Sequence, residues 1–144
     1  DNAVLVLIGS GSLEKLLKLR VEELKLSNKV FFLGRRHDIK SLVNDFDIFV
    51  LPSIFEGMPS SLLEAMSLEK PCLVSNIAMF KEIINSGKNG LICENLTSYS
   101  KATSLVYKDK DLSSRLGKSA RLTIINHFNA SKRYQKEMQL YGIG

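Results

Sequence analysis

Five short apolar runs, at residues 4–8, 30–33, 48–51, 72–74 and 91–93, alternate with stretches whose apolar residues recur at helical spacing. Runs of that length suit strands buried on both faces, and the connections are of crossover length rather than hairpin length. An α/β fold follows: a parallel sheet with helices on both faces, joined by right-handed crossovers. Leu13, Leu16, Leu17, Val21 and Leu24 define the first helix, with Ser12 as its expected cap and Ser27-Asn28 as its stop. Ile39, Leu42, Val43 and Phe46 mark a short second one. Ser60 or Ser61 opens a third, which Pro71 ends. Phe80, Ile83 and Ile84 mark a fourth, stopped at Gly87 before an Asn89-Gly90 turn, and three more are expected near 98–107, 111–126 and 130–141.

The 144 residues, 44% of them hydrophobic, suffice for one domain with a core. No apolar run reaches the roughly 18 residues of a membrane-spanning helix, and the start has no export-signal pattern, so a soluble cytoplasmic protein is expected. Cys72 and Cys93 lie inside apolar runs without CxxC spacing, which makes them reduced core thiols. The net charge of +5 is spread along helical segments. Such a surface suits solvated helix faces and also draws phosphate-bearing ligands or an anionic membrane.

The most informative stretch for chemistry is DIFVLPSIFEGMPSSLLEAMS, residues 47–67, where a strand empties into a small-residue loop and then a helix. That geometry sets backbone N–H groups and the carboxylates of Glu56 and Glu64 at the carboxyl edge of a sheet, where α/β proteins bind ligands. Two carboxylates beside an anion site are awkward unless they accept hydrogen bonds from hydroxyl groups, which sugars supply. Ser61-Leu62-Leu63-Glu64 is equally a capping box, in which the glutamate would serve only the helix start. The Gly9-Ser10-Gly11 turn suggests a nucleotide approach, yet Glu14 occupies the third glycine position of a dinucleotide fingerprint and the next strand closes on Leu33-Gly34-Arg35 without an acid. A nicotinamide site is excluded on those grounds; a plain strand-to-helix turn and a nucleotide contact both stay open.

The 47–67 stretch resembles the E-x7-E signature of GT-B glycosyltransferases of family four, the retaining, nucleotide-sugar-dependent group 1 enzymes. VLIGSG at 6–11, VFFLGR at 30–35 and KEIINSGKNGLI at 81–92 resemble further segments of that family, in the same order. Ala120-Arg121 and His127-Phe128 also fall where its closing helices carry similar residues. The resemblance implies a Rossmann-like domain, the second half of a GT-B fold, occupying 1–144 as a single nucleotide-sugar-binding domain. It implies that Glu56, the expected catalytic residue, contacts hydroxyls of the donor sugar, while Glu64 accepts from the ribose. Gly57, Met58, Ser60 and Ser61 would hold the diphosphate and sugar, Gly34 and Arg35 the base, and Gly9 and Gly11 would form the turn beside the nucleotide. The implied substrate is a UDP- or GDP-linked sugar. The signature implies no cofactor and no metal, and His37 and His127 have no ligand partner nearby in sequence.

Three positions depart from the pattern: Pro59 offers no N–H, Glu69 stands where a helix-ending glycine is usual, and Ala78-Met79 replaces a common glycine pair. The family's usual 3-2-1-4-5-6 order would also place a strand between 4–8 and 48–51, carried by residues before this chain. Without it the sheet is expected to rearrange or to exchange with a second copy, giving self-association. The expected function is that of the donor-binding half of a retaining glycosyltransferase, inactive alone, serving bacterial polysaccharide biosynthesis. Its partners would be the nucleotide-sugar and a glycan or lipid-linked acceptor reached through an N-terminal domain, with peripheral contact at the inner face of the cytoplasmic membrane and no nucleic acid. A non-catalytic nucleotide-sugar-binding module and a nucleotide-sugar epimerase of similar fold are the alternatives.

Overall fold

The computed structural model describes residues 3–128, so the helix expected at 130–141 lies outside the described residues. The elements run β1 (Leu5–Ile8), α1 (Glu14–Glu23), β2 (Val30–Gly34), α2 (Ile39–Asn44), β3 (Phe49–Leu51), α3 (Ser60–Ser67), β4 (Cys72–Ser75), α4 (Ala78–Ile83), β5 (Leu91–Cys93), α5 (Leu96–Lys108) and α6 (Lys110–His127). All strand pairs are parallel, as the crossover-length connections require. The strands are divided, however, between a two-stranded sheet, β1-β2, and a three-stranded sheet, β3-β4-β5. Neighbours within each sheet are those the expected order assigns, so the strands have not rearranged.

The chain comprises two compact units, Asp1–Ile39 and Lys40–Gly144. In the first, β1 and β2 run from Leu5 opposite Val30 to Leu7 opposite Phe32, and a register slip then sets Ile8 against Gly34. Both strands were expected to be buried, but no residue from 3 to 39 is. One helix and two strands cannot enclose both faces of a sheet, so Leu5, Phe31 and Leu33 keep 48%, 45% and 38% of their surface exposed. Ser12 does not cap α1. Leu13 is the N-cap, with no side-chain hydrogen bond, and the Gly11 carbonyl accepts from the Glu14 N–H. The helix also ends before Ser27-Asn28, with Leu24 as its C-cap and Lys25 turning left-handed at φ +57°.

The second unit holds the core. Leu73, Cys93, Val106 and Leu116 are buried together, with Ile48, Leu91, Tyr99, Ala102 and Leu112 packed around them. β4, central in its sheet, buries Cys72, Leu73 and Val74 completely, which is why it reads as an unbroken apolar run. Both thiols are free and buried, as expected. Burial pushes the Cys72 thiol up to about 12. α5 and α6 begin earlier than the apolar spacing suggested because real caps precede them. The Asn95 side chain accepts from the Ser98 N–H while the Ser98 hydroxyl accepts from the Asn95 N–H, and Asp109 accepts from the Leu112 N–H. Pro71 follows the end of α3 as expected, and Glu69 there adopts the left-handed conformation, φ +58°.

Candidate functional site

Within the first unit the turn after β1 and the end of β2 come together. The Gly9 N–H donates to the Gly34 carbonyl at 2.7 Å, and the Arg35 Nε donates to the Ser10 hydroxyl at 3.0 Å. Gly9 and Gly34 have φ of +126° and +62°, conformations that favour glycine, so this meeting of two strand ends depends on residue type. A cavity of about 270 Å³ opens beside the turn, lined by Ile8, Gly9, Ser10, Gly11, Leu13 and Phe32 among others. Gly9, Gly11, Gly34 and Arg35, expected to meet one ligand, therefore share one neighbourhood.

Within the second unit β3 opens into a loop that packing barely restrains. Ile54 is 95% exposed, Phe55 83% and Met58 66%, and a Cβ placed on Gly57 would meet no atom within 4 Å. Glu56, by contrast, is only partly exposed, and its Oε1 accepts a hydrogen bond from the Ser53 hydroxyl at 2.7 Å. Ser53 is tied down in turn, since its carbonyl accepts from the Ser75 hydroxyl at the end of β4. Sequence reasoning assigned no role to Ser53 or Ser75. The contact between them spans 22 positions and has no local signature.

α3 starts at Ser60, so Ser61 lies inside the helix and Glu64 is its fifth residue. The capping-box reading needed Ser61 outside the helix as N-cap, and the backbone rules that out. Pro59 takes the N-cap position, buried and unable to donate or to cap, and no side chain covers the helix start. The Ser60 N–H turns back to the Met58 carbonyl, leaving the amides of Ser61 and Leu62 without an acceptor among the described residues. Glu64 follows Ser60 and Ser61 at i+4 and i+3, hence on their side of the helix. Its carboxylate has neither hydrogen bond nor ion pair among the described residues, and Glu56 likewise forms no ion pair there. The second unit thus presents two carboxylates and uncapped amides along one strand–loop–helix connection. The described residues contain no cluster of three or more His, Cys, Asp or Glu able to hold a metal ion.

Parallel strands that open into glycine turns and a bare helix start define an α/β protein, and solved structures of glycosyltransferases share its fold. The chain belongs to the glycosyl transferases group 1 family, whose model matches residues 1–123. It is 36% identical over 143 residues to UDP-Gal:alpha-D-GlcNAc-diphosphoundecaprenol alpha-1,3-galactosyltransferase of Escherichia coli, covering 97% of this chain and 37% of that protein. It is 28% identical over 142 residues to N-acetyl-alpha-D-glucosaminyl L-malate synthase of Bacillus anthracis, with the same coverages of 97% and 37%. Among solved structures, TarM of S. aureus, crystallised with fondaparinux, alpha-GlcNAc-glycerol and UDP, superposes with a TM-score of 0.85 at 27% identity, over 98% of this chain and 29% of that one. HepE of Anabaena in complex with UDP shares the fold, with a TM-score of 0.88 at 22% identity, over 97% of this chain and 41% of that one. This chain spans little more than a third of the length of the curated relatives it matches best in coverage.

Proposed function

We propose that the chain is the donor-binding domain of a longer glycosyltransferase, which moves a sugar from a UDP- or GDP-linked donor to a glycan or lipid-linked acceptor with retention of anomeric configuration. The observation that carries this reading is the uncapped start of α3 beside the unpaired Glu64 and the loop carboxylate Glu56. As the sugar departs, negative charge grows on the diphosphate, and fixed N–H dipoles at Ser61 and Leu62 stabilise it without reorganising. Glu56 orients the sugar through its hydroxyls, and Glu64 accepts from the ribose. Met58, Ser60 and Ser61 border the diphosphate.

Support for a UDP-sugar comes from the Escherichia coli relative, named for a UDP-Gal donor and a diphosphoundecaprenol acceptor, and from TarM, crystallised with UDP. The same relative favours a lipid-linked acceptor and peripheral attachment to a membrane. No helix among the described residues is long and apolar enough to cross one. The reading requires no metal and no cofactor beyond the substrate nucleotide.

The test is steady-state transfer by the full-length protein from UDP-galactose, UDP-glucose, UDP-N-acetylglucosamine and GDP-mannose to a polyprenyl-diphosphate-sugar acceptor. The coupling constant of the product's anomeric proton reports retention. Glu56→Gln is expected to lower turnover by about two orders of magnitude, as loss of a group that acts on the reacting sugar does. Wild-type turnover in that variant, or nucleotide release that needs no acceptor, would overturn the reading.

A further inference from the structure

We propose that Ser53 is a positioning residue for Glu56, and that Ser75 fixes Ser53. The proposal rests on the donor-binding reading of Glu56 given above. The loop after β3 has little else to hold it: Ile54, Phe55 and Met58 are largely exposed, and no backbone hydrogen bond within residues 52–57 ties the loop to itself. A carboxylate on such a loop would sample several rotamers, and ordering it on ligand binding would cost affinity or rate.

The hydrogen bonds form a relay that removes this freedom. The Ser75 hydroxyl, on β4, donates to the Ser53 carbonyl, and the Ser53 hydroxyl donates to Glu56 Oε1 at 2.7 Å. One step further back, the Tyr99 hydroxyl lies 3.5 Å from the Leu51 carbonyl. Ser53 therefore uses its carbonyl to take its position from the rigid sheet and its hydroxyl to pass that position on. A serine hydroxyl has one proton, and here the carboxylate takes it. With Oε1 engaged, Oε2 is left to accept from a ligand hydroxyl, and the donor to Oε1 settles which way the carboxylate plane faces.

The test is a mutant cycle in the full-length protein, using whichever of UDP-galactose, UDP-glucose, UDP-N-acetylglucosamine and GDP-mannose it turns over fastest. Ser53→Ala is expected to lower kcat/KM by roughly tenfold, with most of the loss in kcat. Ser53→Thr, which keeps the hydroxyl, should recover most of that loss. Ser75→Ala should show a smaller decrease of about threefold. In a Glu56→Gln background, Ser53→Ala should add less than about a twofold further loss, because the group it positions is already gone. A residue that merely stabilised the loop would lower both backgrounds equally and would not be rescued by threonine; either result overturns the proposal. Impaired Glu56→Gln with unimpaired Ser53→Ala overturns the role of Ser53 alone. Wild-type rates in Glu56→Gln overturn the reading of Glu56 and the role of Ser53 with it.

Discussion

A methyl group added to Gly117 would stand 1.9 Å from the carbonyl oxygen of Glu69. α6 crosses the end of α3 at that point, and the missing side chain is what allows the two backbones to touch. The atoms met are Glu69 backbone, not a flexible side-chain tip that could swing aside. Gly117→Ala must push the helices apart and is expected to cost about 2–3 kcal/mol, at the upper end for overpacking. Chemical denaturation should show a lower midpoint with an unchanged slope. An unmoved midpoint would mean that the contact yields freely.

Glu69 itself sits at φ +58°, left-handed, where a side chain costs about 1 kcal/mol relative to glycine. In compensation it lies 3.6 Å from the Arg121 guanidinium, but both side chains are about half exposed, and a pair of that kind contributes little. Arg121 also donates to the Ser67 carbonyl, a bond that does not involve Glu69. Glu69→Gly is therefore expected to raise stability by up to about 1 kcal/mol, visible as a higher thermal midpoint. A lower midpoint would show that the ion pair outweighs the backbone cost.

The left-handed cost at Glu69 was legible in the sequence because a helix end before Pro71 calls for glycine. The alternation of strands and helices was legible too, since each run carries its own period. Burial of β1 and β2 was not, because apolar runs such as 30–33 say that a strand wants cover and not whether two strands and a helix can supply it. The competing roles of Ser61 and Glu64 could be stated from the sequence but not decided, because a two-residue shift of the N-cap, from Ser61 to Pro59, separates them. Gly90 looked like a turn glycine. Its φ is not positive, and the requirement there is space, since a Cβ would come within 3.0 Å of the Cys72 carbonyl and of Ile84.

Asn89, its neighbour in that turn, proves to be a buried hub, 6% exposed. Its Oδ1 accepts from the Asn85 N–H at 2.7 Å, and its Nδ2 donates to the Ile83 carbonyl and to the Thr123 hydroxyl, each at 3.0 Å. One side chain thus closes the end of α4 and ties it to α6. Asn89→Ala leaves those partners unsatisfied and is expected to destabilise by about 2–3 kcal/mol. Asn89→Asp keeps the acceptor and loses the donors, so it should also be destabilising. Hydrogen exchange at the Asn85 amide should quicken in the alanine variant and not in the aspartate one; equal rates in both would refute the assignment.

Cys72 gives the protein an alkaline liability. Burial raises its thiol from about 9 to about 12, and its Sγ lies 3.2 Å from the Lys70 carbonyl, a partner for the thiol and not for the thiolate. The folded pKa is above the unfolded one, so the unfolded chain releases this proton first and stability falls as pH rises between those two values. Each pH unit in that window should cost up to about 1.4 kcal/mol from this group. Cys72→Ala lowers stability throughout by opening a cavity, yet it should flatten the fall above pH 9. Denaturation midpoints at pH 8 to 11 measure that slope, and parallel slopes in the two proteins would remove Cys72 as the cause.

Glu64 offers the sharpest separation between a structural and a ligand-binding carboxylate. A glutamate bound into its own helix start would contribute to stability and not to affinity, but here the carboxylate has no partner among the described residues and the helix start carries no cap. Glu64→Gln, which keeps the size of a half-buried side chain that has no bonded partner to lose, should therefore leave the thermal midpoint within about 1 °C. If it accepts a hydroxyl from ribose, the same change should weaken nucleotide-diphosphate binding by about 1–3 kcal/mol, the range for a charge-assisted hydrogen bond. Calorimetric titration of the full-length protein with UDP and GDP, beside their 2′,3′-dideoxy forms, reads this out. The dideoxy nucleotides should bind wild-type and variant alike, because neither then has a hydroxyl to donate. A variant that loses affinity for both forms equally would show that Glu64 does not act through the ribose hydroxyls, and one that loses none would leave the group without a role in binding.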